Sequence, residues 1–249
     1  MQYMSLHHIN FNEITHTYTN INTGERYISG TQLLSKYKPK FDTDKIAEQS
    51  AKKRGMTKEA VLKEWSDAAN TATTKGTAIH ETIESMLMHI PEKFHTEYAV
   101  VAKKAIVEIE KNLGNTSNIT SEMLLWNDKL KIASQSDLVQ RYTPPFAEHE
   151  VINVIDYKTN KTIDTYNKYN TYMLEPLNNL MECEYNVYSL QLSLYAYLLE
   201  KMYPQAKIGK LAIMWLNPRT EEWKTFAVPY MKYDVIRLLQ DYKTSFLDK

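Results

Sequence analysis

Apolar positions along this chain change their period several times, and each change marks an element. Ile79, Ile83, Met86, Leu87 and Ile90 recur at helical spacing, which predicts a helix with one buried stripe. Val151-Ile152-Asn153-Val154-Ile155 is a short, β-branched run, the pattern of a buried strand. Val187, Leu190, Leu194 and Leu198 form a second helical stripe through Tyr188 to Glu200.

The same reading gives short strands over residues 7–28 around the turn Asn22-Thr23-Gly24, and a helix from Thr31 that ends near Pro39. A helical region runs from about Asp44 to Asn112, broken near Gly55 and Pro91, where the chain loses helix propensity. Strands are expected near 120–126, 130–139 and 150–157, with a hairpin over Asn127-Asp128 and an irregular Asn- and Tyr-rich connection over 160–183. Lys210–Leu216 pairs with Glu222–Val228 across Asn217-Pro218-Arg219-Thr220, and a helix from about Lys232 to Phe246 closes the chain. This order predicts an α/β (α+β) fold, a mixed central sheet flanked by helices. One domain over 1–249 is expected, with an N-terminal helical elaboration over 1–60, a core over 66–230 and a C-terminal helix over 232–247.

The chemistry concentrates where the buried run ends, at Asp156-Tyr157-Lys158-Thr159. A strand sends alternate side chains to one face, so Asp156 and Lys158 point the same way. A carboxylate and an amine so arranged suit metal-assisted cleavage of a phosphodiester. Taken alone, the triplet describes a solvated strand end with a surface ion pair equally well. Upstream, Gly76, His80 and Glu84 follow one another at every fourth position, so His80 and Glu84 share the solvent border of the apolar stripe. Each alone reads as a satisfied core histidine and an ordinary helix carboxylate. Asp137 lies on the strand that the hairpin feeds into the same sheet, and Gln191 and Tyr195 stand at i, i+4 beside the stripe of the later helix.

The order G-x-x-x-H-x-x-x-E, D, D-x-K-T and Q-x-x-x-Y, together with Ile28-Ser29-Gly30-Thr31-Gln32-Leu33-Leu34, Trp65, Ala72 and Pro176-Leu177, resembles the RecB-type branch of the PD-(D/E)xK nuclease superfamily. Bacteriophage exonucleases of that group and, more distantly, the mitochondrial genome maintenance exonuclease share the pattern, and the resemblance spans most of residues 15 to 230. It implies a restriction-endonuclease-like core and a magnesium- or manganese-dependent DNA exonuclease acting on single-stranded or end-containing DNA. It further implies His80, Asp137, Asp156 and the Tyr157 carbonyl as metal ligands, Lys158 as the catalytic lysine, and Gln191 and Tyr195 as supports near the scissile phosphate. Glu84, Glu122 and Thr159 are additional candidates. DNA is the expected partner, with recombination or replication proteins beside it. A structure-specific endonuclease and an inactive DNA-binding subunit of the same fold are the alternatives.

Two departures stand out. Ser134 takes the place where the family carries glycine, three residues before Asp137, and Asp137 and Asp156 are nineteen positions apart, with Thr143-Pro144-Pro145-Phe146 between them. A longer hairpin tip absorbs the second at small cost.

Composition narrows the remainder. Thirty basic and thirty acidic residues cancel, so net charge offers no argument for a nucleic-acid partner. Distribution has to supply one: Lys52-Lys53-Arg54, Lys75, Lys103-Lys104, Lys158, Lys161 and Lys168 are candidates to rim a phosphate-tracking groove, although each short run also fits a solvated helix face. Eighteen tyrosines include Tyr157, Tyr166, Tyr169, Tyr172, Tyr185 and Tyr188 between the D-x-K strand and the next helix, suited to stacking on bases or to packing. Cys183 is the single cysteine, so neither an intrachain disulfide nor an iron-sulfur cluster of four cysteines is available. Without a compact His/Cys cluster zinc is disfavoured. No apolar run approaches a bilayer span and Met1 to His8 lacks a secretion pattern, so a cytoplasmic location without membrane contact is expected, in the host cell if phage-encoded.

Overall fold

The computed structural model describes residues 8–13, 15–114 and 116–247. Residues 1–7, within the stretch read above as lacking a secretion pattern, lie outside them. Strands β1 (Ile9–Asn12), β2 (Thr17–Asn20) and β3 (Arg26–Ser29) lead into the short helix α1 (Gly30–Ser35), whose capping box joins Ser29 and Gln32. Helix α2 (Thr43–Arg54) starts on Asp42 and stops at Gly55 in the left-handed conformation, where glycine carries no Cβ penalty. Thr57 caps the long helix α3 (Lys58–Met88), and two short 3₁₀ turns lead to α4 (Ala99–Leu113). Then come β4 (Ile119–Asn127), β5 (Ile132–Tyr142), β6 (Val151–Lys158), α5 (Glu184–Met202), β7 (Lys207–Leu216), β8 (Trp223–Val228) and α6 (Lys232–Tyr242), which runs on as a π turn to Leu247. The connection over 159–183 is irregular apart from a bridge between Tyr172 and Met181.

The strands form one mixed sheet in the order β1-β2-β3-β5-β6-β7-β8, with β4 also paired to β5. Helices cover both faces. Leu33, Leu34, Leu190, Leu194, Leu198, Val235 and Leu238 join Ile132, Val139 and Ile152 in the core between the sheet and α1, α5 and α6. On the opposite face Ile79, Ile83, Ala102, Ala105 and Ile109 from α3 and α4 pack on Leu138, Ile155, Tyr157 and Met214. The sheet is therefore the middle of three layers.

The helical elaboration expected over 1–60 is distributed differently. Residues 9–12, 17–20 and 26–29 are strands of the main sheet, joined to it where Ile28 and Ser29 pair in parallel with Ile132 and Ala133. The projecting helical part is α2 with the first half of α3, held by Ala47, Ala51 and Val61. A cross-strand tyrosine pair explains the difference: Tyr18 and Tyr27 face each other and are buried beside Ile9 and Ala133, so these strands have an apolar face that needs the sheet.

β5 has an unusual edge. One side carries β4 along residues 132–140. The other carries β3 at Ile132 and Ala133 and β6 only from Leu138 onward. Since β3 runs parallel to β5 and β6 antiparallel, their C-terminal ends approach each other head-on across an unladdered gap at Ser134–Asp137. Backbone groups at this fork need other partners, and the Gly30 N–H finds one by donating to Ser134 Oγ at 2.9 Å.

Gly30 has no room for a side chain, since an added Cβ would stand 2.7 Å from Ser134 Oγ and 3.1 Å from a Leu194 methyl. Gly30→Ala should destabilise the protein by about 1–3 kcal/mol through overpacking, read by urea denaturation. Adding Ser134→Gly should recover part of the loss. Equal stability of wild type and Gly30→Ala would contradict the close approach.

Candidate functional site

The fork between β3 and β6 gathers most of the sequence candidates. Asp137 projects into it from β5, and its Oδ2 accepts the backbone N–H of Tyr157 at 2.6 Å. From the α3 side His80 brings Nδ1 to 3.7 Å from Asp137 Oδ1, with its ring edge-on to that of Tyr157 at 5.4 Å. From the α5 side Gln191 Nε2 donates to Asp156 Oδ1 at 3.1 Å and to the Tyr195 hydroxyl at 2.8 Å. Lys158 folds its amine back onto Asp156 Oδ2 and lies 4.7 Å from the Tyr188 ring centre, a cation–π contact.

Opposite Asp137 on β4 stands Glu122, at the one register position between Ser121–Leu138 and Met123–Ser136 that makes no strand pairing. Its φ is 50°, left-handed backbone that a non-glycine residue rarely adopts. Side chains take the freed carbonyls: Ser121 Oγ donates to that of Asp137 at 3.0 Å, and Gln135 Nε2 to that of Glu122 at 3.1 Å. The irregularity inverts the pleat. Met123 and Leu125 face the α5 core, yet Ile119, of the same parity, packs on α3 and α4; on β5 Ile132 faces α5 while Leu138 faces α3. Regular alternation would aim Glu122 and Asp137 elsewhere.

As a result His80, Glu122 and Asp137 each offer a ligand atom within 4.8 Å of the others. Ligands on one cation at roughly 2.0–2.6 Å lie at most about 4–5 Å apart, so this donor set fits a shared divalent ion. Asp156, expected beside His80 and Asp137, is neighbour to the group, but Gln191 and Lys158 hold its carboxylate. Tyr157, whose carbonyl the resemblance assigns, donates its amide to Asp137 and sets its ring against that of His80.

Other candidates fall as follows. Glu84, read as solvent-bordering, is 7% exposed and ion-paired to Lys93 at 2.7 Å, because the turn after α3 folds back over it. Thr159 touches α3, for a Cβ on Gly76 would meet its Oγ1 at 2.8 Å. Lys75 and Lys161 are exposed, and Lys168 lies over the Tyr169 ring at the edge of a 510 Å³ cavity. Of the other basic candidates, Arg54 pairs with Glu64, and Lys104 with Glu222 beside β8. Tyr166 and Tyr169 are exposed in the 159–183 connection, whereas Tyr157 and Tyr195 are buried. Lys93 escaped the sequence reading altogether, since only its contact with Glu84 across a turn distinguishes it from any turn lysine.

Two clefts meet at His80 and Thr77. One, of about 390 Å³, is lined by Glu84, Lys93, Glu122 and Asp137 together with Tyr18 and Ser29. The other, of about 360 Å³, is lined by Gly76, Lys158, Thr159, Asn160 and Tyr188. Tyr188 also lines the cavity that holds Tyr166 and Lys168, so the Lys158 side continues toward the tyrosine-rich connection.

Burial governs the charges. It lowers the His80 pKa to about 4, helped by Lys158, leaving a neutral imidazole able to act as a ligand. Burial and then Asp137 raise Glu122 to about 8, and burial raises Asp156 to about 6 against the pull of Lys158. Asp137 is raised too, again chiefly by burial. For Lys158 burial opposes the charge, but Asp156 and Asp137 prevail and hold its pKa above the ordinary value.

No family model matches the chain, and no curated protein does. Among solved structures, one titled "Crystal structure of SSO0001" is 15% identical, covering 68% of this chain and 71% of that chain, with a TM-score of 0.30. A likeness so remote carries no argument. Among the described residues no helix is long and apolar enough to cross a membrane.

A carboxyl whose folded pKa exceeds its unfolded value, about 4, binds its proton more tightly in the native protein. Its contribution to stability is present below that unfolded value and lost as pH rises through the folded one. The raised carboxyls should therefore withdraw stability from the metal-free protein between about pH 4 and pH 8, the upper bound set by Glu122, while His80, lowered to about 4, works the other way up to about pH 6.5. In chelator, Glu122→Gln should melt above wild type by a margin that grows over this range. A margin independent of pH would show that Glu122 is not strained by its neighbours.

Proposed function

We propose that this chain is a divalent-metal-dependent deoxyribonuclease with a PD-(D/E)xK core of the RecB type, acting as an exonuclease on single-stranded or end-containing DNA. The observation that carries the reading is the meeting, at one strand fork, of a His80–Glu122–Asp137 donor set with the Asp156–Lys158 pair. His80, Glu122 and Asp137 would hold magnesium or manganese, hard cations suited to oxygen donors and one imidazole. When bound, such an ion supplies Lewis acidity toward a phosphate oxygen and lowers the pKa of an attacking water.

The chain's own groups do the remainder. Lys158, kept charged by two carboxylates, leaves Asp156 to meet the negative charge that develops on the phosphate. Asp156, its pKa pushed up to about 6, accepts a proton near neutral pH. Gln191, itself anchored on Tyr195, fixes the Asp156 carboxylate. The cleft on the Lys158 side, continuing past Tyr188 toward Tyr166 and Lys168, offers aromatic faces and amines to a strand; the opposite cleft is acidic and repels one.

The test uses end-labelled linear and closed circular DNA, single- and double-stranded, with magnesium or manganese. Linear single strands should be shortened while circles survive. Rapid nicking of circles would favour the structure-specific endonuclease, and no cleavage of any form the DNA-binding subunit. Lys158→Ala should lose about two or more orders of magnitude in turnover, a few kcal/mol of transition-state stabilisation, yet still bind manganese by calorimetry. Asp156→Asn should lose a similar factor, and wild-type turnover in either variant would sink the assignment.

A further inference from the structure

The carboxylates around the fork are not equivalent. Glu84, Asp137 and Asp156 each act electrostatically on Glu122, and two of the four have a lysine. Lys158 sits on Asp156. Lys93, from the turn after α3, sits on Glu84 at 2.7 Å, with 9% of that carboxylate's side chain exposed. The two carboxylates left over are Glu122 and Asp137, the pair that joins His80 in the donor set. Two further acids line the cleft: Glu81, hydrogen-bonded to His95 at 2.6 Å, and Glu13, exposed at its mouth, whose charge also acts on Lys93. With one lysine on each of the other two, Glu122 and Asp137 are the carboxylates left to a cation, and one divalent ion cancels the two charges they carry as its ligands.

We propose that Lys93 is a resident counter-cation that occupies the Glu84–Glu122 side of the cleft, so that the site takes one divalent ion where its carboxylates alone would accommodate two. The proposal rests on the metal-binding part of the nuclease reading and on no particular DNA substrate. Lys93 lines the same cleft as Glu84, Glu122 and Asp137, and its charge acts on Glu122 as well as on Glu84. It is a positioning residue: an ammonium on Glu84 supplies fixed charge without taking a coordination site on Asp137, and a second ion there would have to displace it. Two cations sharing carboxylates in so small a space need nearly all of the negative charge, and Lys93 has already used part of it.

The experiment counts metal. Manganese binding to the full chain, followed by calorimetry and by the loss of the free-ion paramagnetic resonance signal, should give one ion per chain for wild type and for Lys93→Arg. Lys93→Met should bind two, and the manganese dependence of its DNA cleavage should change from hyperbolic to sigmoidal. Without metal Lys93→Met leaves Glu84 buried without its partner, so its melting temperature should fall in chelator and recover with manganese, whereas Lys93→Arg should melt near wild type throughout. One ion in Lys93→Met, or two in wild type, would overturn the proposal. Because the count needs no substrate, a one-to-two change in a chain that cuts no DNA would leave the counter-cation standing and remove the nuclease, while a wild type that binds no manganese would remove both.

Discussion

The site depends on the Asp137 carboxylate taking the Tyr157 N–H where β5 and β6 stop pairing. A regular ladder would run on past Leu138 and Ile155 and leave no space between the strands. A side chain replaces the next backbone bond and holds the strands apart without orphaning a buried amide. The carboxylate that holds the fork open is also the one that His80 approaches. Local fold and candidate chemistry thus share an atom group, and an amide at that position would reproduce the acceptor but not the charge.

That economy has an electrostatic cost. Concentrating Glu84, Glu122, Asp137 and Asp156 behind helices on both faces raises the pKa of three of them, burial being the largest cause in each. Acidic groups are kept this close only where something compensates. Here the two face cores, built from fully buried Leu and Ile on α3 and α5 and on the sheet, fix the backbones that carry the charges. Lys158 and Lys93 then neutralise one carboxylate each.

Much of the fold was legible because its elements carry clean periods. The stripe through Ile79 and Ile83, the stripe through Leu190, Leu194 and Leu198, and the run ending at Ile155 all became core. Asp156 and Lys158 meet because strand parity brings them together, and Gln191 and Tyr195 because helix spacing does. What failed depended on contacts across the chain. The pleat inversion at Glu122 leaves no trace in composition, so β4 read as an ordinary strand and the prominence of Glu122 over Asp156 in the donor set could not be foreseen. Lys93 reaches Glu84 through a turn whose path is set by packing. The early strands looked like an appendage since each has only four residues in which to announce an apolar face.

Small residues explain how elements from so many directions reach one fork. Gly76 lets α3 lie against Thr159, where a Cβ would be 2.8 Å away, and this close approach lowers His80, one turn later, toward Asp137. Gly30 does the same for α1 against Ser134 and the α5 side chains. Each glycine stands at a point where a helix meets the end of a strand, one beyond β6 and one beyond β3. Ser134 completes the pattern: its hydroxyl is small enough for the gap and accepts the Gly30 N–H, a bond that glycine at that position could not make. The fork is therefore clamped from both ends by backbone contacts that tolerate little movement. A donor set whose members come from α3, β4 and β5 needs that rigidity, since none of those elements alone fixes the distance between them.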